Sequence, residues 1–469
     1  MAGARAFVRP AVFTVGFAAS IALWGTWFLT HLPWLGMREQ VSLPTIVVIW
    51  LSALTCGGYA IRKAGSTIGE TTLSTTFAGL LSSLTGLLVL GSKLTTRQVP
   101  EGAEEATVTL VPAAGAILLG FLLTGAILGL IGGVLGGAMA QPRHRAWSQE
   151  ETDAAWLGRF AIVAAAAVFP LIVVGGLVTS TNSGMAVPDW PNTYGTNMFL
   201  YPLGPRAAPS IFLEHSHRLF GSLIGLTAIA LVVQVFLYSR NSFARKWAVA
   251  ILLLVIVQGV LGGLRVNKGH TDLAQDTKFY RILHGMLAQG VFCMFVVLAV
   301  HLNAPFQHVR EAARRGALEF AAHGVKPKLL RMLSTGALHA TLLQILFGVM
   351  YRHTRSSHAL WSHIGFSVVA VILVAAAGFA AARVRPADDR IQRVLFHTGA
   401  VAVLLVGVQF LLGWVALLVG GSMVEPKTPL EIVARTVHQA NGALVLASVT
   451  VLYVWGRAVS PKNRLAPVA

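Results

Sequence analysis

Cysteine is nearly absent from this sequence: 469 residues hold two, Cys56 and Cys293. Both fall within apolar stretches, so a disulfide framework, a zinc site built on thiolates and cysteine nucleophile chemistry are poor fits. Charge is scarce too. Asp, Glu, Lys and Arg make up 12% of the chain against 55% hydrophobic residues, and the mean hydropathy is +0.69. An ordinary soluble domain carries about twice that charged fraction, so that class is excluded. Acidic residues are the rarer sign, 18 against 36 Lys and Arg, for a formal charge of +18. Such an excess can mark a nucleic-acid binder, but here the basic residues lie mainly in short connections between apolar runs. That is the positive-inside pattern of a membrane protein, and no nucleic acid is expected. A cleavable leader is not evident either. The first apolar run, Ala11 to Leu29, is long enough to span and lacks a convincing cleavage site.

What the chain has in quantity is apolar sequence. A helix needs about 20 apolar residues to cross a bilayer. Such runs are readable at about 11–30, 43–61, 75–93, 108–140, 160–181, 212–238, 247–266, 280–302, 331–351, 358–382, 393–419 and 432–456. The 47 glycines sit inside these runs, as in closely packed membrane helices. The expected fold is an all-α polytopic membrane protein of about twelve spans, the last eight forming two pseudo-symmetric four-helix bundles. The expected divisions are an N-terminal extension, 1–140, a linker, 141–158, a first bundle, 159–302, a second linker, 303–330, a second bundle, 331–458, and a tail, 459–469.

Basic residues fall on alternate connections: Arg5 and Arg9, Arg62 and Lys63, Arg143 and Arg145, Arg240 with Arg245 and Lys246, Arg310 with Arg314 and Arg315, Arg383 with Arg385, and Lys462 with Arg464. Both termini are therefore expected in the cytoplasm of a bacterial-type cell with the protein in its inner membrane. Four histidines, His217, His284, His363 and His438, then lie near the outer ends of their helices.

The last eight spans read as a duplication. Gly175 to Ser183 aligns with Gly348 to Ser356 in its Gly, Thr and Ser. Gln-x-x-x-Gly recurs as Gln258 and Gly262, Gln344 and Gly348, and Gln409 and Gly413. Arg281 precedes His284 by three residues, and Arg435 precedes His438 by three. Helix packing accounts for the glycines alone, but not for an Arg-x-x-His pair recurring in each half.

Each half thus offers two histidines on two helices, and two imidazoles from facing helices are the arrangement that holds a heme iron from both sides. Zinc would want three or four converging ligands, and copper would favour Cys or Met company. The alternative is four interfacial histidines hydrogen bonded between helices. Arg218, Arg281 and Arg435 suit heme propionates or the heme edge. Glu214 and His217 share a helix face at a spacing of three, whereas Leu360 and Ile364 flank His363. An acid near one pair suggests one reactive site and one electron-transfer site. The long connection 182–210 contains Pro188, Asp189, Trp190 and Pro191, which suit a semi-rigid lid over the first site. Asp189 is either a loop cap or a lid contact. His358 is the rival of His363 as a ligand. His215, His339, His353 and His397 are expected to be structural or outside the ligand set.

Residues 182–191, Asn-Ser-Gly-Met-Ala-Val-Pro-Asp-Trp-Pro, together with Glu214, His217 and Arg218 and the single histidines His284, His363 and His438, resemble the heme A synthase family over about residues 158–458. The resemblance implies heme O as substrate, bound by His217 and His284, and a heme b cofactor held by His363 and His438. It implies oxidation of a ring methyl of heme O to a formyl group by two hydroxylations and a dehydration. The oxygen would come from water, with Glu214 as the acid/base. Implied partners are heme O synthase or cytochrome oxidase assembly factors, and a quinone or other membrane electron acceptor. Val187 and Thr193 stand where many bacterial members of that family carry cysteines, so no thiol role is expected at this loop. The first four spans have no counterpart in the common eight-helix form, and a docking or stabilising module is the expectation for them. Two other functions fit the histidines, a di-heme electron-carrying cytochrome and a heme transporter or assembly scaffold. Glu214 argues against the first, and the lack of a continuous polar path along the inner half of the helices argues against the second.

Overall fold

The computed structural model describes residues 9–98, 107–142, 148–203, 207–269, 277–420 and 428–460. Arg5, Arg143, Arg145, Lys462 and Arg464, used above for orientation, lie outside the described residues. Thirteen helices organise the rest: α1 Pro10–Thr30, α2 Glu39–Lys63, α3 Ile68–Gly86, α4 Ala114–Met139, α5 Gln149–Ser180, α6 Pro209–Tyr238, α7 Ser242–Gly269, α8 Lys278–Leu302, α9 Ala304–Arg314, α10 Pro327–Thr354, α11 Ser357–Arg383, α12 Asp389–Val419 and α13 Pro429–Val459. All but α9 are long and apolar enough to cross a membrane, twelve among the described residues. The chain is an all-α polytopic membrane protein.

Two helix ends differ from the sequence expectation. The run at 75–93 ends its regular helix at Gly86, and the run at 108–140 becomes helical only at Ala114. Between them Thr95–Gln98 pairs antiparallel with Thr107–Leu110. β-branched Thr and Val dominate these segments and favour a strand, although hydropathy alone counts part of them with the adjoining spans.

By internal contacts the chain forms two compact units, Met1–Val174 with Ser183–Ala248, and Gly175–Asn182 with Val249–Ala469. In the first, α1 lies against α2, α3 and α6, while α4 packs on α2 and α3. Small residues allow the close approach: a Cβ placed on Gly79 would lie 2.0 Å from the Gly125 carbonyl oxygen. Polar side chains are paired inside, Trp50 Nε1 donating to Ser82 Oγ at 2.8 Å and Ser20 meeting Thr85 at 2.8 Å. Gly79→Val is expected to destabilise this unit by about 1–3 kcal/mol through overpacking. The check is the melting temperature in detergent against Gly120→Val, where an added Cβ meets nothing within 4 Å.

In the second unit α10, α11, α12 and α13 form a ring, with α8 laid against α10 and α13. The core of this ring is built from Val374, Leu395, Leu446, Val449 and Leu452. The short amphipathic α9 buries Phe306 against Trp455, rings 5.2 Å apart.

Candidate functional site

In the first unit the loop 183–203 and helix α6 are tied together by one acid and one arginine. Pro209 opens α6, where a missing N–H costs nothing. One turn later Glu214 Oε1 meets Arg218 Nη2 at 2.9 Å, an i,i+4 pair with side chains 5% and 8% exposed. Glu214 Oε2 accepts the Val187 N–H at 2.8 Å. Arg218 then donates to three main-chain carbonyls: Asp189 at 2.7 Å and Asn192 at 2.9 Å through Nη1, and Val187 at 3.1 Å through Nη2. Its four terminal N–H groups are occupied within the protein.

The loop adds its own fastenings. Asn192–Thr193 and Thr196–Asn197 form a hairpin across a two-residue turn, Tyr194 and Gly195, both at positive φ. Asp189 caps that turn, accepting the N–H of Tyr194 at 2.7 Å and of Gly195 at 2.8 Å. Thr193 pairs with His215 Nδ1 at 3.1 Å, and the Tyr201 ring lies 5.4 Å from that imidazole. From the N-terminal part of the unit, Thr95 of the strand Thr95–Gln98 donates to the Leu200 carbonyl at 2.7 Å, and Trp24 and Phe28 of α1 pack on Phe220 and Phe212. His217 is half-buried, one turn after Glu214.

In the second unit His363 and His438 face each other with ring centres 6.2 Å apart and planes at 84°. Two imidazoles on opposite sides of one iron, with metal–nitrogen bonds of about 2 Å, would have ring centres about 6 Å apart, which is the separation seen here. His363 Nδ1 faces the Gln344 carbonyl at 3.0 Å, which leaves Nε2 to ligate. Arg435 supports the same fit. Its Nη2 donates to Gly420 O at 2.8 Å and lies 3.5 Å from Glu431, while Nε and Nη1 are buried without a partner among the described residues. Two such donors suit the propionates of a bound heme. His358, the rival ligand, is exposed, whereas His363 is half-buried.

His284 sits in this unit and His217 in the other. Gln258 Nε2 donates to the His284 carbonyl at 2.8 Å. Arg281 lies one turn before His284 on α8. His339 bonds its own helix at Thr335 O, 2.8 Å. Among the described residues no three His, Cys, Asp or Glu side chains converge on a point that would hold a metal ion.

Two residues were not singled out by sequence. Arg352 donates to the Thr179 carbonyl and lies within electrostatic range of Arg281, Arg355 and Arg435. Its only sequence signal was its place in the duplicated Gly348–Ser356 stretch. Glu431 is buried and pairs with Arg435 at the i,i+4 spacing of Glu214 and Arg218, but two turns before His438 rather than one turn before a histidine. The two halves therefore differ in how far the acid stands from the histidine along the helix.

Residues 158–363 match the family described as cytochrome oxidase assembly protein. A heme A synthase from Caulobacter sp. (strain K31) is 28% identical over 345 residues, covering 64% of this chain and 95% of that protein. A heme A synthase from Geobacillus kaustophilus is 24% identical over 280 residues, 54% of this chain and 80% of that protein. One from Beijerinckia indica is 27% identical over 217 residues, 40% of this chain and 57% of that protein. The chain is similar to heme A synthases over about two thirds of its length. Its match to the family takes in Glu214, His217, Arg218 and His284 and ends at His363, whereas helices α1–α4 precede it. Of those four helices, α1 packs on the helix that carries Glu214, through Trp24 and Phe28.

Proposed function

We propose that this protein converts a ring methyl group of heme O to the formyl group of heme A for cytochrome oxidase assembly. The observation that carries this is Glu214: a buried carboxylate, held by Arg218 and the Val187 N–H, one turn before a candidate ligand histidine. The net change adds one water oxygen to the methyl carbon and removes protons and electrons in equal number. Glu214 is the group placed to take those protons, and its contacts with Arg218 and Val187 fix its direction.

By the sequence pattern, His217 and His284 are proposed as the ligands of the substrate heme, with Pro188, Asp189, Trp190 and Pro191 in the loop beside the acid. His363 and His438 are proposed to hold heme b, with Arg435 and Arg281 towards its propionates. When bound, heme b supplies a one-electron carrier. The protein's part there is to present the two imidazoles and to offset the propionate charge. A quinone or another membrane acceptor would receive the electrons, and heme O synthase or oxidase assembly factors are the proposed partners. The sequence-derived division into bundles at 159–302 and 331–458, with both termini cytoplasmic and the sites near the outer face, belongs to the same proposal.

The test is co-expression of the full chain with a heme O source, followed by heme extraction and pyridine hemochrome spectra. Formyl-bearing heme is expected with the wild type. The variant His363→Ala/His438→Ala is expected to lose the low-spin b-type spectrum and at least ten-fold of the heme A yield. Heme A absent from wild-type membranes that contain heme O would sink the proposal.

A further inference from the structure

The Gln-x-x-x-Gly repeats have a use that helix packing does not cover. Each lies on the helix immediately before one that carries a candidate ligand: Gln258 and Gly262 on α7 before His284, Gln344 and Gly348 on α10 before His363, Gln409 and Gly413 on α12 before His438. In all three the glycine meets the imidazole. A Cβ on Gly262 would lie 3.2 Å from His284 Cε1, on Gly348 2.9 Å from His363 Cε1, and on Gly413 3.3 Å from His438 Cε1. Cε1 is bonded to both ring nitrogens, so a side chain at any of these glycines would push the ring and carry Nε2 with it.

The glutamines complete the arrangement. Gln258 Nε2 donates to the His284 carbonyl and Gln344 Nε2 to the His363 carbonyl, both at 2.8 Å. His363 returns a contact from Nδ1 to the Gln344 carbonyl at 3.0 Å. His284 Nδ1 is buried with no hydrogen-bond partner among the described residues. At the third site the amide reaches the ring itself: Gln409 Nε2 stands 3.2 Å from His438 Nδ1 and 3.3 Å from Nε2. Gln409 Oε1 is held in turn by Asn441 Nδ2 at 2.8 Å, and that amide also donates to Leu405 O at 3.0 Å.

We propose that Gln-x-x-x-Gly is a histidine cradle, in which the glutamine ties the ligand histidine to the preceding helix and the glycine gives its ring space. Gln258, Gln344 and Gln409 are positioning residues, and the inference rests on the heme assignment above. In the duplication Leu171 and Gly175 stand at the places of Gln344 and Gly348, so the repeat assigns no glutamine to His217.

The experiment purifies the full chain and titrates it with hemin, reading affinity, the reduced-minus-oxidised spectrum and the midpoint potential. Gln344→Leu and Gln409→Leu are expected to weaken heme b binding about 10–100-fold, the usual cost of removing a group that orients a metal ligand. Gln409→Leu is also expected to shift the midpoint potential. Gly348→Val is expected to lose the low-spin spectrum. Gly407→Ala and Gly365→Ala, whose added Cβ atoms meet nothing within 4 Å, are expected to match the wild type. If Gly348→Val does not accumulate, the two Leu variants decide. Wild-type affinity, spectrum and potential in both Leu variants, with heme lost from His363→Ala/His438→Ala, would overturn the cradle alone. A low-spin heme that survives the double histidine variant would overturn the heme assignment beneath it.

Discussion

Glu214→Gln is expected to lower the heme A yield by about 10²–10⁴-fold, the span usual for loss of a general acid/base. The b-type spectrum is expected to remain. Glutamine keeps the length of the side chain and can still accept the Val187 N–H. Arg218 keeps its three carbonyl partners, so the loop stays in place. What is lost is the group that exchanges protons and the negative charge opposite Arg218. The measurement is formyl-bearing heme extracted per unit of protein, alongside the difference spectrum. Wild-type yield in this variant would remove Glu214 from the proton-handling role while leaving the heme assignment intact.

Arg218→Met is expected to act on stability as well as on activity. It removes the donors to Val187, Asp189 and Asn192 and leaves the Glu214 carboxylate without its partner. Breaking a buried ion pair from one side costs about 3–5 kcal/mol. Arg218→Lys keeps the charge but not the planar fork that reaches several carbonyls at once, so an intermediate loss is expected. Limited proteolysis reads this directly: cleavage within 183–203 should rise in the order wild type, Lys, Met. The heme b spectrum should change little, because His363 and His438 lie in the other compact unit. An unchanged cleavage pattern in the Met variant would show that the loop is held by something else.

The spans were legible because hydropathy is a one-dimensional signal, and no helix crosses a bilayer without its apolar run. Their ends were less so. Thr95–Gln98 and Thr107–Leu110 pair with each other across a gap that no local window sees. The contact of Glu214 with Arg218 follows from helical spacing alone. That Arg218 would grip the loop through main-chain oxygens does not, since carbonyls carry no sequence signature. Asp189 was legible as either a loop cap or a lid contact, and the turn it caps was not legible, because Tyr194 adopts a positive φ that its residue type does not announce. The glutamines were visible as a repeat, yet their partners lie 19 to 29 residues away on the next helix. Arg352 and Glu431 escaped notice because nothing local distinguishes them from other charges near a helix end.

The positions where the resemblance would place cysteines are both secured here by other means. The Val187 main chain is held on its N–H by Glu214 and on its carbonyl by Arg218, and the Thr193 hydroxyl is held by His215. Neither fastening involves sulfur, and the chain's two thiols, Cys56 and Cys293, lie on α2 and α8 rather than in the loop. The loop should therefore keep its shape in dithiothreitol as in air, indifferent to the thiol balance of its surroundings.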